Sequence, residues 1–247
     1  MRTLVGAELL APRLNGMVQR VNKEHFLCVT VPGTEQRVLL TPTGELPGGN
    51  YVDPAGKQQL IISHAEQKCT GVAPLSPEME AELSAAESLR SSVDAAMNSY
   101  KADKLPDAVV TTYGQKSGGT CTVTCCIGIC TMSAANYWAG LWRSEWKLVA
   151  TDGASSGALT GRVQCNVHYF EDGNVQLDDS KTFSCSVPLS ADVGAAFRKA
   201  VATHEASAMA SVEEIYQHMS DSVLAGLRRR CSPNMHHDQT CRMNTST

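Results

Sequence analysis

The feature that most constrains the fold is a long apolar stripe toward the C-terminal end of the sequence. Between Val193 and Leu227 apolar residues recur every three or four positions, and Ser190 stands where a helix N-cap is expected. The stripe predicts one helix over residues 190–230. The part from the cap at Ser190 to Leu227 alone is about 38 residues, or about 57 Å long at ~1.5 Å per residue. A helix of this length needs a wide surface to pack against, or it extends past its own subunit.

Residues 106–189 are predicted to supply that surface as an antiparallel sheet. β-branched runs bounded by glycines recur there, and Asp172-Gly173 stands between the last two runs. Asp-Gly favours a two-residue hairpin loop that pairs Phe170 with Val175. About five strands at ~4.8 Å spacing make a surface only about 24 Å wide. The mismatch with the helix predicts a sheet that is completed by a partner subunit.

The rest of the chain is predicted to form helices around a small β region. Residues 1–25 carry a ragged apolar stripe that predicts a short helix, and residues 26–75 alternate apolar runs with turn signals that predict a small β-meander. Residues 76–105 predict one helix with a serine cap. Residues 231–247 are polar and aperiodic, which predicts a mobile tail. The predicted fold class is therefore α+β, with the long C-terminal helix across the sheet.

Composition excludes several classes of protein. With 43% hydrophobic and 19% charged residues the chain is ordinary for a globular protein, and a net charge of -4 gives no general attraction to nucleic acid. No apolar run approaches the ~20 residues that span a membrane, and Glu8 and Pro12 interrupt the N-terminal apolar segment. We expect a cytoplasmic protein without a membrane span, whose ten cysteines are reduced thiols.

The cysteine-rich stretch near residue 125 does not predict a metal site. In a strand, Cys121 and Cys125 face one side while Cys126 and Cys130 face the other, so four sulfur atoms cannot converge. Buried thiols are the better interpretation.

The tail contains four more residues of metal-binding type, which are Cys231, His236, His237 and Cys241. Adjacent histidines in a polar, mobile segment rarely form a preorganised zinc site. Signatures of serine hydrolases, P-loop proteins, dinucleotide-binding folds and zinc proteases are missing from the sequence. We therefore expect no enzyme, no cofactor and no metal.

Two further features leave alternatives open. Trp138, Trp142 and Trp146 are spaced by four residues, which puts the rings on one face of either a helix or a strand. The arginines of 228–230 stand side by side at the end of the predicted long helix. They complement the helix dipole at ~0.3–1 kcal/mol each, and they also suit an acidic partner surface.

Several stretches together resemble the α subunit of F-actin capping protein. LWRSEWKL, VHYFEDGNVQL and YQHMSDSVLAGLRRR occur in the family's order and spacing, RVLLTPTGELPGGNYVDPAGK is similar to its turn-rich β region, and LLAPRLNGMVQRVNKEHF is similar to its last stalk helix. The resemblance extends from about Leu9 to Arg230. It implies a heterodimer of α and β subunits that share one ten-stranded sheet. It also implies calcium-independent capping of the barbed end of actin filaments.

The resemblance implies roles for individual residues. Trp-Arg-Ser-Glu-Trp becomes a sheet strand, with Trp142, Ser144 and Trp146 on one face and Arg143, Glu145 and Lys147 on the other. The residues assigned to the shared sheet and the subunit interface are Trp142, Arg143, Glu145, Trp146, Tyr169, Asp172 and Gly173. Those assigned to actin binding are Arg228, Arg229 and Arg230, of which Arg228 and Arg229 match arginines of the family and Arg230 is additional.

The sequence also departs from the family pattern. Of the family's basic positions, which fall on Ala225, Arg229 and Met235, only Arg229 keeps its charge. The tail has just two large apolar residues, Met235 and Met243, and few residues precede Leu9 to form the other stalk helices. The expectation is a divergent member with a shortened stalk and an altered tail. The alternative is a structural subunit with weak or no capping, which pairs with itself or ends a dynactin-like filament of an actin-related protein.

Overall fold

A computed structural model of the chain describes residues 7–170, 175–189 and 192–218. The chain divides into two compact units between Glu205 and Ala206, and all the described strands belong to the first unit. The described helices are α1 (Ala7–Glu24), α2 (Pro77–Ala85), α3 (Glu87–Lys104) and α4 (Val193–His218). The described strands are β1 (Cys28–Thr30), β2 (Arg37–Leu39), β3 (Tyr51–Asp53), β4 (Gln58–Ser63), β5 (Lys68–Pro74), β6 (Val109–Ser117), β7 (Thr120–Ser133), β8 (Trp138–Thr151), β9 (Ser156–Tyr169) and β10 (Val175–Pro188).

The centre of the fold is an antiparallel sheet with strand order β10-β9-β8-β7-β6, which confirms the prediction of five strands. Consecutive strands are neighbours, as short connections favour. The pairing of β7 with β8 runs without a break from Thr120–Thr151 to Ser133–Trp138. An unbroken register keeps alternate side chains of each strand on the same face along its whole length.

The two faces of this sheet are covered by different elements. The face that carries Trp146, here called the helix face, is covered by α3 and α4. Trp146 donates a hydrogen bond to Glu205 of α4, and Tyr100 of α3 donates to the same carboxylate. On the opposite face Tyr113 belongs to a buried apolar cluster with residues of β2 and α2, and its hydroxyl donates to the carbonyl of Leu39 at 3.1 Å. The sheet is therefore the middle layer of three.

The small β region differs from the predicted single meander over residues 26–75. β1 pairs with β2, and β3, β4 and β5 form a separate three-stranded sheet. Two single-turn 3-10 helices, Pro42–Gly44 and Pro47–Gly49, separate the two sheets, and the φ of 82° at Gly48 is far from the extended conformation of a strand. β5 falls inside the predicted β region and completes the three-stranded sheet through β4.

The single helix predicted over residues 76–105 is two helices that meet at Ala86. Leu83 of α2 belongs to the buried cluster on the opposite face, whereas Tyr100 of α3 reaches Glu205 on the helix face. A Cβ placed on Gly114 of β6 would lie 3.0 Å from Cβ of Ala86. The chain therefore passes around the β6 edge at Ala86, and one straight helix could not serve both faces.

α4 lies within the predicted helix over residues 190–230, of which 219–230 lie outside the described residues. The predicted cap at Ser190 also lies outside them. The backbone N–H of Ala195 donates to Oδ1 of Asp192 at 2.9 Å, so the capping side chain of the observed helix is Asp192. Among the described helices, none combines the length and apolar character needed to cross a membrane.

The cysteines of β7 lie on the two faces as the strand pattern predicted. Cys125 pairs with Trp146, which places it on the helix face, and Cys126 pairs with Glu145, which places it on the opposite face. Both thiols are buried, and burial raises the pKa of each. In the described part of the chain, no group of three or more His, Cys, Asp or Glu residues is arranged to hold a metal ion.

Candidate functional site

The Trp-Arg-Ser-Glu-Trp segment lies in the middle of β8, the central strand of the sheet. Trp142, Ser144 and Trp146 point to the helix face, and each is at least nine-tenths buried. Arg143 and Glu145 point to the opposite face. The segment is thus a strand with both faces covered, which decides between the two arrangements that the tryptophan spacing allowed.

Trp146 is fully buried and packs between the sheet and α4. The strand residue opposite its indole on β9 is Gly161, where a Cβ would overlap the ring. Phe183 of β10 and His204 of α4 both stack on the indole, with ring centroids 5.9 Å away in each case. Glycine therefore makes room for the indole, and the indole fixes where α4 rests on the sheet.

Glu205 is the polar centre of this contact. Its carboxylate accepts hydrogen bonds from the Ser144 hydroxyl at 2.5 Å and from Nε1 of Trp146 at 3.3 Å through Oε1, and from the Tyr100 hydroxyl at 3.1 Å through Oε2. The three donors belong to β8 and α3, so one carboxylate joins α4 to both. We call Tyr100, Ser144, Trp146 and Glu205 the Glu205 cluster.

Burial governs the ionisation of the Glu205 cluster. Burial raises the pKa of the Glu205 carboxyl above its ordinary value, although the hydrogen bonds from Ser144, Trp146 and Tyr100 act to lower it. Burial also raises the pKa of the Tyr100 hydroxyl, with a further contribution from Glu205. No water-accessible nucleophile is part of the cluster, and its geometry is that of a structural tie rather than of acid–base chemistry.

Arg143 and Glu145 line a cleft of about 420 Å³ on the opposite face. The Arg143 side chain donates from an Nη atom to Oδ1 of Asn166 at 3.2 Å, while its buried Nε has no acceptor within the described residues. Burial lowers the pKa of Arg143 and raises the pKa of Glu145. The two predicted interface residues therefore lie beside each other on β8 without forming an ion pair.

At the end of the sheet Tyr169 pairs with Val175. The sequence had predicted that Phe170 pairs with Val175, so the prediction was wrong by one residue. The reason lies in Phe170, whose N–H donates to the carbonyl of Tyr137 at 2.8 Å and whose ring makes an edge contact with that tyrosine. Phe170 is thereby held toward the β7–β8 connection. The predicted turn residues Asp172 and Gly173 lie outside the described residues.

β10 forms one edge of the main sheet, and no described strand pairs with its outer side. The strand is 14 residues long, and its exposure alternates, with even-numbered residues exposed and odd-numbered residues half-buried along most of its length. β6 at the other edge is shorter, with 9 residues, and is mostly buried. The open edge is therefore the β10 edge.

The predicted actin-binding residues Arg228, Arg229 and Arg230 lie outside the described residues.

Two residues that organise the site were missed by sequence reasoning. Glu205 lies four residues after Val201 and three before Ala208, so it falls inside the apolar stripe of the long helix. A glutamate inside an apolar stripe lies on the buried side of the helix, so this position could have indicated a buried carboxylate. Gly161 interrupts a strand-like run, which often marks a close approach by another group, but its partner Trp146 follows only from the register.

Comparison with known proteins gives consistent matches. The family model described as F-actin capping protein alpha subunit matches residues 1–233. An F-actin-capping protein subunit alpha from Dictyostelium discoideum is 32% identical over 204 residues, which cover 81% of this chain and 71% of the relative. The subunit from Arabidopsis thaliana is 30% identical over 217 residues, with 85% and 70% covered. A solved homodimeric actin capping protein alpha subunit from Plasmodium berghei has a similar fold, with a TM-score of 0.74, 16% identity, and 91% of this chain and 84% of that chain covered.

Proposed function

Because the chain belongs to the F-actin capping protein alpha subunit family, we propose that it is one subunit of a dimer that caps actin filaments. The dimer would bind the barbed end, without calcium, and block the addition and loss of actin subunits there. It would act in the cytoplasm as part of the actin cytoskeleton. The observation that carries this proposal is the family match over residues 1–233.

The open edge of β10 supports the dimeric part of the proposal. A long edge strand presents a row of backbone donors and acceptors that another strand can satisfy. α4 has 26 described residues, about 39 Å at ~1.5 Å per residue, against about 24 Å for five strands. The helix is thus longer than one half-sheet is wide. The family implies the capping protein β subunit as the second chain, and that subunit is the first partner to test.

The basic residues that follow α4 support the actin-binding part of the proposal. Arg228, Arg229 and Arg230 put three positive charges in succession in a chain whose net charge is -4. Such a local patch can dock on an acidic surface, and its contribution is strongest at low salt. Arg229, which matches a basic position of the family, is the residue on which the proposal depends most.

The test is the elongation of actin filaments from seeds, with the chain co-expressed with a β subunit and purified as a complex. We expect the complex to stop growth at barbed ends. Arg229→Glu should weaken capping about tenfold, and raised salt should weaken capping by the unsubstituted complex. Lys68→Glu is the matched control, because Lys68 is 60% exposed on β5 and should leave capping unchanged. Unhindered growth with the unsubstituted complex would disprove the capping function.

The second candidate is a structural subunit with weak or no capping. The tail carries just Met235 and Met243 as large apolar residues, which is little for an apolar contact with actin. The Plasmodium berghei neighbour is homodimeric, which favours a chain that pairs with itself. The same role would suit the end of a dynactin-like filament of an actin-related protein. Under this candidate, grafting an apolar amphipathic tail should create capping that the unsubstituted chain lacks.

A further inference from the structure

The cleft beside Arg143 is lined by three side chains that can donate hydrogen bonds. On the opposite face Arg143 of β8 lies across from Gln164 of β9, and Glu145 lies across from Arg162. All four residues line the cleft of about 420 Å³. Arg143 and Arg162 are diagonal neighbours, which lie about 7–8 Å apart across two antiparallel strands, within reach of long side chains. The two guanidinium groups can therefore hold one small anion between them.

Arg143 is the buried member of this donor set. It is 9% exposed, one Nη atom donates to Asn166, and its buried Nε has no acceptor within the described residues. Arg162, by contrast, is exposed. Buried donors in proteins are nearly always paired, because a buried donor without an acceptor is costly. The arrangement therefore favours an acceptor that enters the cleft beside Arg162 and reaches Arg143.

The carboxylates of the chain do not pair with these two arginines. Among the described residues, the ion pairs include neither Arg143 nor Arg162. Burial lowers the pKa of Arg143, and the charges of Asp178 and Glu24 act to raise it. The charge of Arg162 acts to lower it, as expected for two neighbouring guanidinium groups.

The balance of charge in the cleft limits the ligand. Glu24 and Glu145 line the cleft together with the two arginines. A doubly charged phosphate would be repelled by both carboxylates, whereas a singly charged anion gains from the arginines at half that cost. A carboxylate also matches the planar fork of a guanidinium group with its two oxygen atoms.

We infer that this cleft binds a small organic monocarboxylate, whose carboxylate group is held by Arg143 and Arg162. The side-chain amide of Gln164 can donate to the same group. Phe26 and Pro42 supply an apolar part of the wall, which suits a ligand with an apolar body. The volume of the cleft lies within the ~300–1,000 Å³ that is usual for small-molecule sites. The inference does not depend on the capping function.

The first test locates the ligand with phenylacetate, a monocarboxylate with an apolar ring. The full chain labelled with ¹⁵N is titrated, and the arginine Nε–H signals are followed by NMR against sodium chloride at equal ionic strength. The Arg143 signal is identified by its loss in Arg143→Lys. We expect this signal to shift with a Kd of about 1 mM, a reasonable affinity for about ten non-hydrogen atoms.

The second test measures affinity from the ligand signals by saturation-transfer NMR. Arg143→Lys keeps the charge but loses the fork, so phenylacetate should bind about tenfold more weakly or worse. Arg162→Met, at an exposed position, should weaken binding about threefold to tenfold and tests the site if Arg143→Lys does not fold. Circular dichroism of each variant checks that the chain is folded.

The matched control is Lys147→Met. Lys147 lies on the same strand and the same face as Arg143, is exposed and is not among the residues that line the cleft. This variant loses one positive charge, as Arg162→Met does, and should change the affinity by less than about twofold.

Two other probes test the class of ligand. 2-Phenylethanol has the apolar ring without the charge, and it should bind at least about tenfold more weakly than phenylacetate. Inorganic phosphate should also bind more weakly, because it meets Glu24 and Glu145. An Arg143 signal that stays unchanged up to about 20 mM phenylacetate, an equal loss of affinity in Lys147→Met, or equal binding of either probe would overturn the inference.

Discussion

Replacement of Glu205 by leucine should lower the free energy of unfolding by about 3 kcal/mol at neutral pH. Leucine fills a similar volume but accepts no hydrogen bond, so the donors of Tyr100, Ser144 and Trp146 would stay buried and unpaired. Each such donor costs about 1–3 kcal/mol, and removal of a buried carboxylate returns several kcal/mol. The raised pKa of Glu205 shows that the three hydrogen bonds do not fully offset the cost of burying its charge. The net loss of stability should therefore lie at the lower end of the range summed for the three donors.

A double-mutant cycle with Tyr100 tests whether the donors are the cause. Tyr100→Phe alone removes a hydrogen bond to a charged acceptor and should cost about 2 kcal/mol. In the Glu205→Leu background the same change removes an unpaired donor, so it should cost nothing or restore stability. The expected coupling between the two residues is therefore about 2 kcal/mol.

The assay is unfolding in guanidinium chloride, followed by far-ultraviolet circular dichroism at one fixed protein concentration. Circular dichroism is preferred to fluorescence, because Trp146 belongs to the cluster and its emission would change with the substitution itself. Glu213→Leu, at an exposed glutamate of the same helix, is the control and should change stability by less than about 0.5 kcal/mol. Additive effects of Glu205→Leu and Tyr100→Phe would refute the reasoning.

Two further predictions concern the same region. Burial raises the pKa of Glu205 in the folded state above its unfolded value of about 4.5. The contribution of this group to the free energy of unfolding is therefore fully present below pH 4.5, and it is lost as the pH rises through the folded-state pKa. Glu205→Gln should therefore be most destabilising near pH 4.5 and progressively less so at higher pH, and a difference that is constant with pH would contradict this. Gly161→Ala places a Cβ against the Trp146 ring and should cost about 2–3 kcal/mol by the same unfolding assay. Gly71→Ala, where the nearest atom is 3.8 Å away, is the matched strand control and should be nearly neutral.

Sequence predicted the main sheet because its signals are local. β-branched runs and glycine-bounded turns specify antiparallel neighbours without reference to the rest of the chain. The break at Ala86 could not be predicted in this way, since alanine favours helix and the apolar stripe continues through it. The break follows from tertiary structure, in which Leu83 and Tyr100 must reach different faces of one sheet.

The strand that carries the candidate site was also predicted from local signals, whereas the long-range contacts of the site were not. Alternation along β8 placed Trp142 and Trp146 on one face, as the resemblance implied. The carboxylate of Glu205, which joins Trp146 to α4, was not identified, because a glutamate within a helix is usually solvent-exposed. Its burial depends on three donors that lie 105, 61 and 59 residues away in the sequence, and only the folded chain brings them together.

The passage of the chain around the β6 edge at Ala86 has a consequence for how large an assembly can grow. A subunit whose sheet had two unpaired edge strands would polymerise into a ribbon, since every added copy would present another unpaired edge strand to the next. In this chain the backbone at Ala86 lies against Gly114 of the edge strand β6, which obstructs the addition of another strand at that edge. If subunits associate through the β10 edge, two of them would cover each other's open strand, and among the described residues the main sheet would then present no further unpaired edge strand.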